Sequence, residues 1–235
     1  MLVFVGEVAE HAVDVIGPGV SRGSMFGVVI GELLRGDLPP CYGSAGGGSS
    51  ARAGGEDGNM RWMAKLRDIL KPRPRILFVG INPSIRSEQM GHHFASPANP
   101  FWRLLYAARL VPEELKCEDD VRLVEFDLAL TSLCARATRS AAELTTAEMI
   151  EGQKLLARKI RRVQPQVVAF VGVSIYRRFF GVAQGEGAGA KAETISGARV
   201  FVLPNPSGLN ASFPGFKDKL IWFERLRKFA DGPGD

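Results

Sequence analysis

At 235 residues the chain can hold one α/β domain with a substantial core, or one domain and a tail. Its net charge of +5 is uneven: residues 1–60 carry 3 Lys+Arg against 7 Asp+Glu, leaving 27 against 18, a net of +9, for residues 61–235, and that surplus suits a polyanion such as DNA or RNA. Three scattered cysteines (Cys41, Cys117, Cys134) exclude a disulfide scaffold and an all-cysteine iron–sulfur cluster, and no apolar run is long enough to span a bilayer.

The thiols are expected to be buried or inert in a reducing cytoplasm. Glu7 and Glu10 stand where a signal peptide carries basic residues. Residues 1–37 hold apolar patches, Leu2–Val5 and Phe26–Ile30, broken by Gly and Pro. Residues 38–59 are low complexity, a Gly/Ser-rich linker unable to bury enough apolar surface to order itself. Residues 1–59 therefore read as a disordered arm or a start codon assigned too early, and residues 60–235 as the folded domain. A helical pattern opens that domain at Trp62, Leu66, Ile69 and Leu70.

Ile76–Val79 is a short apolar run, read as a strand buried on both faces of a parallel sheet. Gly80-Ile81-Asn82-Pro83 stops it with a tight turn and a residue that cannot continue a strand. Asn82 is thereby placed just past the carboxyl end of a buried strand, where open α/β sheets bind ligands. An irregular loop of Gly, Ser, His and Met follows, carrying one large aromatic, Phe94. Asn99 as N-cap and Pro100 at the first helical position begin a helix whose apolar face is Trp102, Leu105 and Tyr106.

Pro112–Phe126 gives one or two short helices, with the acidic run Glu113, Glu114, Glu118, Asp119 and Asp120 on a solvated face. Asp127–Leu130 is a second short strand, and Cys134–Leu144 a loop with Arg136 and Arg139. Thr145 and Glu148 have capping-box spacing and start a helix through Val163. Ile150, Leu155, Leu156 and Ile160 are expected inward on it, and Lys154, Arg158, Lys159, Arg161 and Arg162 largely outward. Val167–Val171 is a third buried strand, Ser174–Phe180 a short helix closed by Gly181, and Gly185–Gly189 a flexible loop. Thr194–Ser196 and Arg199–Leu203 flank a turn at Gly197-Ala198. A final amphipathic helix covers about Gly215–Phe229.

Strands alternating with helices imply a three-layer α/β/α sandwich around a short, mostly parallel sheet. Two strands end in similar punctuation, Gly80-Ile81-Asn82-Pro83 and Pro204-Asn205-Pro206-Ser207-Gly208. If parallel, they place both loops on one sheet edge, facing each other across a cleft.

GINPS at Gly80–Ser84, FASPANPFWR at Phe94–Arg103 and LPNPSGLN at Leu203–Asn210, in this order and at these separations, resemble the uracil-DNA glycosylase superfamily, specifically its mismatch-specific uracil/thymine branch. GINP alone is a weak signal; joined with NPFWR and NPSGL it is strong. The resemblance covers about Arg75–Leu226, and residues 1–59 lie outside it. It implies a monofunctional glycosylase that hydrolyses the N-glycosidic bond of uracil opposite guanine in double-stranded DNA, and also that of thymine or other deaminated or alkylated bases, initiating base-excision repair. It implies no metal or organic cofactor, a monomer, and no membrane partner.

The base must be flipped into a pocket, at a cost of a few kcal/mol that is smaller for a mismatch. By this resemblance Phe94 stacks on the extruded base, and backbone groups around Ile81, Asn82 and Phe94 hydrogen-bond its edge. Asn82 positions the water that attacks C1′. Efficient uracil glycosylases carry Asp there, so Asn82 implies a slower enzyme. Gly208, Leu209 and Asn210 form the wedge, with Leu209 filling the vacated space and Asn210 facing the orphaned guanine. Ser207 and nearby amides hold flanking phosphates, and Asn205 fixes the loop, with a phosphate or wedge-positioning role beside it.

Ser84 replaces a glycine common in this branch and is expected to crowd the pocket floor. Asn210-Ala211 departs from the polar-plus-basic pair of some relatives. His92 and His93 look like a metal pair, but the only other histidine is His11, so no metal site is expected. Asp119 and Asp120 are expected at a solvated helix end. Two other readings compete: a mismatch or abasic-site binding protein with little or no turnover, and a small-molecule hydrolase using the same cleft.

Overall fold

The computed structural model describes residues 66–182, 187–207, 210 and 212–232. The arm and linker at residues 1–59, Trp62, and the wedge residues Gly208 and Leu209 lie outside the described residues.

Four strands are parallel: β1 (Ile76–Gly80), β2 (Leu128–Ser132), β3 (Val167–Val171) and, after an antiparallel strand β4 (Gly189–Ile195), β5 (Ala198–Leu203). The sheet order is β2-β1-β3-β5-β4. Successive side chains alternate between two cores, as a strand period of two requires. Ile76, Phe78, Leu130, Ala169 and Phe201 face one core, against helices α2 (Phe101–Ala107) and α5 (Phe216–Asp231). Leu77, Val79, Phe170, Val200 and Val202 face the other, against α3 (Thr146–Val163) and α4 (Val173–Phe180). The predicted three-layer α/β/α architecture is therefore present. No helix among the described residues is long and apolar enough to cross a membrane.

Several local readings are corrected. Leu66–Leu70 is not helical; it forms a strap along the free edge of β2, where Ile69 and Leu130 exchange backbone hydrogen bonds of 2.8 and 2.7 Å. Pairing an exposed strand edge outweighs a weak helical pattern here. The loop after Pro83 contains a short helix, α1 (Ile85–Met90), capped by Ser84, whose hydroxyl accepts from the Ser87 N–H. Ser84 is thus exposed at the pocket mouth rather than crowding its floor. Helix α2 begins at Phe101, one residue later than expected, although Asn99 still caps it by accepting from the Phe101 N–H at 3.0 Å. Phe101 and Leu104 join Trp102 and Leu105 in its buried face, and Tyr106 is exposed.

On α3 the buried residues are Met149, Gly152, Gln153, Leu156, Ile160 and Val163, while Ile150 and Leu155 are exposed. Lys159, expected outward, reaches back to Asp68 on the strap (2.7 Å) and to the Thr131 hydroxyl (3.0 Å). The acidic stretch forms a 3-10 helix (Cys117–Phe126) in which Asp120 is buried, not solvated. The β4–β5 turn is Ser196-Gly197, both with positive φ and flanked by the Ile195–Ala198 pair, one residue earlier than predicted. That geometry matches the twist of a two-residue hairpin.

Candidate functional site

Gly80 pairs with Ser132, and Val171 with Leu203, so all four parallel strands end on one edge. Strand β2 lies on one side of β1 and β3 on the other, making the carboxyl end of β1 the switch point of the sheet. A cavity of about 420 Å³ opens there. It is lined by Gly80–Ser84, His93, Phe94, Thr131, Ser132, Val171, Asn205 and Ser207, among others. The two punctuating loops do face each other across it, as the sequence predicted. A second, wider groove of about 690 Å³ shares Ile81–Ser84, Asn205 and Ser207 and continues past Arg139, Arg177 and Asn210. Asn82 sits where the two spaces meet.

The Asn82 loop is stitched to residues 133–138. Leu133 and Cys134 N–H groups donate to Gly80 and Ile81 carbonyls at 2.8 Å each, and the Thr138 N–H donates to the Pro83 carbonyl at 3.2 Å. The Asn82 amide nitrogen donates to the Arg136 carbonyl (2.9 Å) and to the Thr138 hydroxyl oxygen (2.7 Å). That hydroxyl gives its own proton to the Ser140 carbonyl at 2.8 Å. A carbonyl only accepts, and Thr138 has a single proton, so both partners require the NH₂ end of Asn82. Its Oδ1 is left without a partner among the described residues and is not enclosed. The side chain is therefore a fixed acceptor, suited to holding a water and not to donating.

Arg136 is held in turn by Glu148, through contacts of 2.5 and 3.0 Å, and by the Glu143 carbonyl at 2.8 Å. The Arg136 guanidinium, followed by the Thr145 N–H and hydroxyl, pulls the Glu148 carboxyl down to about 2 from its ordinary 4.5. A depressed carboxyl adds stability above its unfolded value and loses it as pH falls toward the folded one. Melting temperature is thus expected to fall between about pH 4.5 and 2 with a component absent from Glu148→Gln, read by thermal melts across that range.

Thr138 was not singled out from sequence; only the spatial partner Asn82 reveals it. Thr138→Val keeps the shape but leaves an Asn82 N–H without its acceptor, at a cost of about 1–3 kcal/mol, whereas the carbonyl of the exposed Ser140 can turn to water. Because Thr138 is buried, single-turnover activity is expected to slow by about tenfold or more while the fold persists, read beside a melt.

Phe94 lies in the left-handed region (φ 51°). Its neighbours are pinned. The His93 N–H donates to Asp120 Oδ2 (2.9 Å), the Trp102 indole to the His93 carbonyl (3.2 Å), and the Ala95 N–H to the Ser87 hydroxyl (3.2 Å). Such over-determination is what sustains an unfavourable backbone conformation. One face of the ring stacks on Phe101, with centroids 4.0 Å apart and planes at 21°. Phe101 backs the platform and was read from sequence only as part of a helix. The N–H groups of Asn82 and Phe94 donate to no described residue, which leaves two backbone donors on residues that line the cavity.

Asn205 Oδ1 accepts from the Ser207 N–H (2.9 Å), and its carbonyl accepts from the Asn210 amide (3.0 Å). Asn205 therefore shapes the loop, and Asn210 is folded back onto it. His92 and His93 diverge: His92 Nδ1 meets Asp120 Oδ1 at 3.2 Å, and His93 Nε2 meets the Arg67 carbonyl at 2.9 Å.

The chain is similar to a solution NMR structure from Methanosarcina acetivorans, provisionally assigned as a uracil DNA glycosylase; the match is 20% identical, has a TM-score of 0.47, and covers 69% of this chain and 96% of that one. The family model described as "Uracil DNA glycosylase superfamily" matches residues 68–227. That span starts on the strap, contains the Asn82 loop, Phe94 and the Asn205 loop, and ends in α5; the chain belongs to the uracil-DNA glycosylase superfamily.

Proposed function

We propose that the protein is a monofunctional glycosylase that removes uracil opposite guanine from double-stranded DNA. Thymine and other deaminated or alkylated bases are secondary substrates. The observation that carries this reading is the Asn82 amide. Its nitrogen is committed to Arg136 and Thr138, and its oxygen is left without a described partner on a residue that lines both the cavity and the wider groove.

In this reading the extruded base occupies the inner cavity, stacked on the free face of Phe94. The wider groove takes the deoxyribose and flanking backbone, with Ser207 and adjacent amides at the phosphates. C1′ then lies beside Asn82, whose Oδ1 orients a water toward it. An amide is a weak base, so the glycosidic bond breaks ahead of attack, giving an oxocarbenium-like sugar and a base anion. The bond electrons go to the base, the water oxygen bonds C1′, and the water proton is released. In this reading the N–H groups of Asn82 and Phe94 stabilise charge on the departing base. Gly208 and Leu209, with Asn210, supply the wedge, and the basic surface gives affinity that falls with salt.

Single-turnover base release by the full chain tests this, using duplexes that contain G·U, A·U or G·T. G·U release above A·U is the expected result. Equal rates remove the mismatch preference, and tight binding with no release replaces the enzyme by a mismatch-binding protein.

A further inference from the structure

We propose that the acceptor nitrogen of His93 reads the N3–H of the extruded base, making His93 a specificity-determining residue. The inference rests on the glycosylase reading above. His93 is only 5% exposed and lines the inner cavity beside Phe94. Its Nε2 lies 2.9 Å from the Arg67 carbonyl, which has no proton to give. Nε2 therefore carries the hydrogen, and in the neutral ring Nδ1 is a lone pair.

Every other polar atom of the residue is committed. The N–H goes to Asp120 and the carbonyl to the Trp102 indole. Nδ1 alone has no partner among the described residues, yet it is not among the enclosed unpaired side-chain atoms, of which Arg227 Nε is the one found there. His93 lines the cavity, and we assign the accessible part of Nδ1 to it. Buried acceptors are rarely left unpaired, and this one belongs to a residue on the cavity wall.

Burial also pushes the ring pKa below its ordinary 6.5, against the opposing pull of the Arg67 hydrogen bond, Asp120 and Asp68. The ring is thus held neutral at physiological pH, with its acceptor available. A base seated on Phe94 and tethered at C1′ beside Asn82 presents position 3 in a fixed place. Uracil and thymine carry N–H there, whereas cytosine carries a lone pair, which faces the lone pair of Nδ1. The contact admits imide bases and turns away the abundant undamaged pyrimidine that shares their shape.

The test uses the full chain and duplexes carrying a non-hydrolysable 2′-fluoroarabino nucleotide opposite guanine. The base is either uracil or 3-deazauracil, in which C–H replaces N3–H and the 4-oxygen becomes a hydroxyl. Wild type, His93→Phe and His93→Leu are compared by fluorescence anisotropy, with thermal melts alongside. Phe keeps a flat ring without nitrogen; Leu is smaller and also lacks an acceptor. The change at the 4-oxygen is common to all three proteins, so the readout is how the uracil-to-3-deaza affinity ratio differs between them: it is expected to be about tenfold larger in wild type than in the variants. Should His93→Phe fail to fold, His93→Leu carries the comparison. The same ratio in wild type and in a folded variant overturns the inference and leaves uracil release intact. Absence of release from an ordinary G·U duplex overturns the glycosylase reading and this inference with it.

Discussion

Asn82→Ala is expected to slow base release from a G·U duplex by on the order of 10²–10³-fold with little loss of DNA binding, because it removes the water-orienting acceptor along with the amide nitrogen that holds Arg136 and Thr138. The more revealing variant is Asn82→Asp. A carboxylate is the better base, and simple substitution logic predicts a faster enzyme. The surroundings argue otherwise. The amide nitrogen donates to the Arg136 carbonyl at 2.9 Å, and a carboxylate there sets one oxygen lone pair against another. Thr138 can turn its proton toward the new oxygen only by abandoning the Ser140 carbonyl. Both effects favour the protonated acid, which can still donate to Arg136. Asn82→Asp is therefore expected to be no faster than wild type at neutral pH. Its pH–rate profile should gain a limb that rises with pH, as the raised carboxyl ionises, which the wild-type profile lacks. A flat profile with an immediate gain in rate at neutral pH would show that the Arg136 and Thr138 contacts do not constrain the side chain.

The central parts of the site were legible because local chemistry announces them. A buried β run ended by Gly80-Ile81-Asn82-Pro83 must present Asn82 at the sheet edge, and the second loop ends its strand in a similar way. The misreadings share one cause: they concern groups whose partners lie far away in sequence. Asp120 sits in an acidic run that looks solvated, yet it is buried because the His93 N–H and the His92 ring converge on it. Lys159 falls on the basic side of α3 but meets Asp68 and Thr131. Leu66–Leu70 has a weak helical pattern, yet pairing with the open edge of β2 decides its form. Thr138 and Phe101 escaped notice for the same reason. A hydroxyl that orients an amide 56 positions away, and a ring that backs another ring, carry no signal in a single sequence.

Helix propensity alone favours alanine over glycine by about 1 kcal/mol inside a helix, so Gly152→Ala should stabilise α3 in isolation. The packing reverses the sign. A Cβ at position 152 would lie 2.5 Å from the Leu133 carbonyl oxygen and 3.1 Å from Cys134 Sγ. The first contact is with backbone, so no rotamer change relieves it, and α3 must move off the segment that follows β2. Overpacking of this kind costs roughly 1–3 kcal/mol, and clash against a main-chain atom belongs at the upper end. After the gain in propensity, a net loss of about 2 kcal/mol remains, or about 4–8 °C in melting temperature for a domain of this size. The displaced segment is the one whose Leu133 and Cys134 N–H groups hold the Gly80 and Ile81 carbonyls. Through them the shift reaches Asn82, two residues beyond the end of the β1 core. Gly152→Ala should therefore lower both melting temperature and single-turnover release, the latter at temperatures well below the melt. A rise of a few degrees with unchanged release would mean that helix and strand are not in the close contact that holds the Asn82 loop in place.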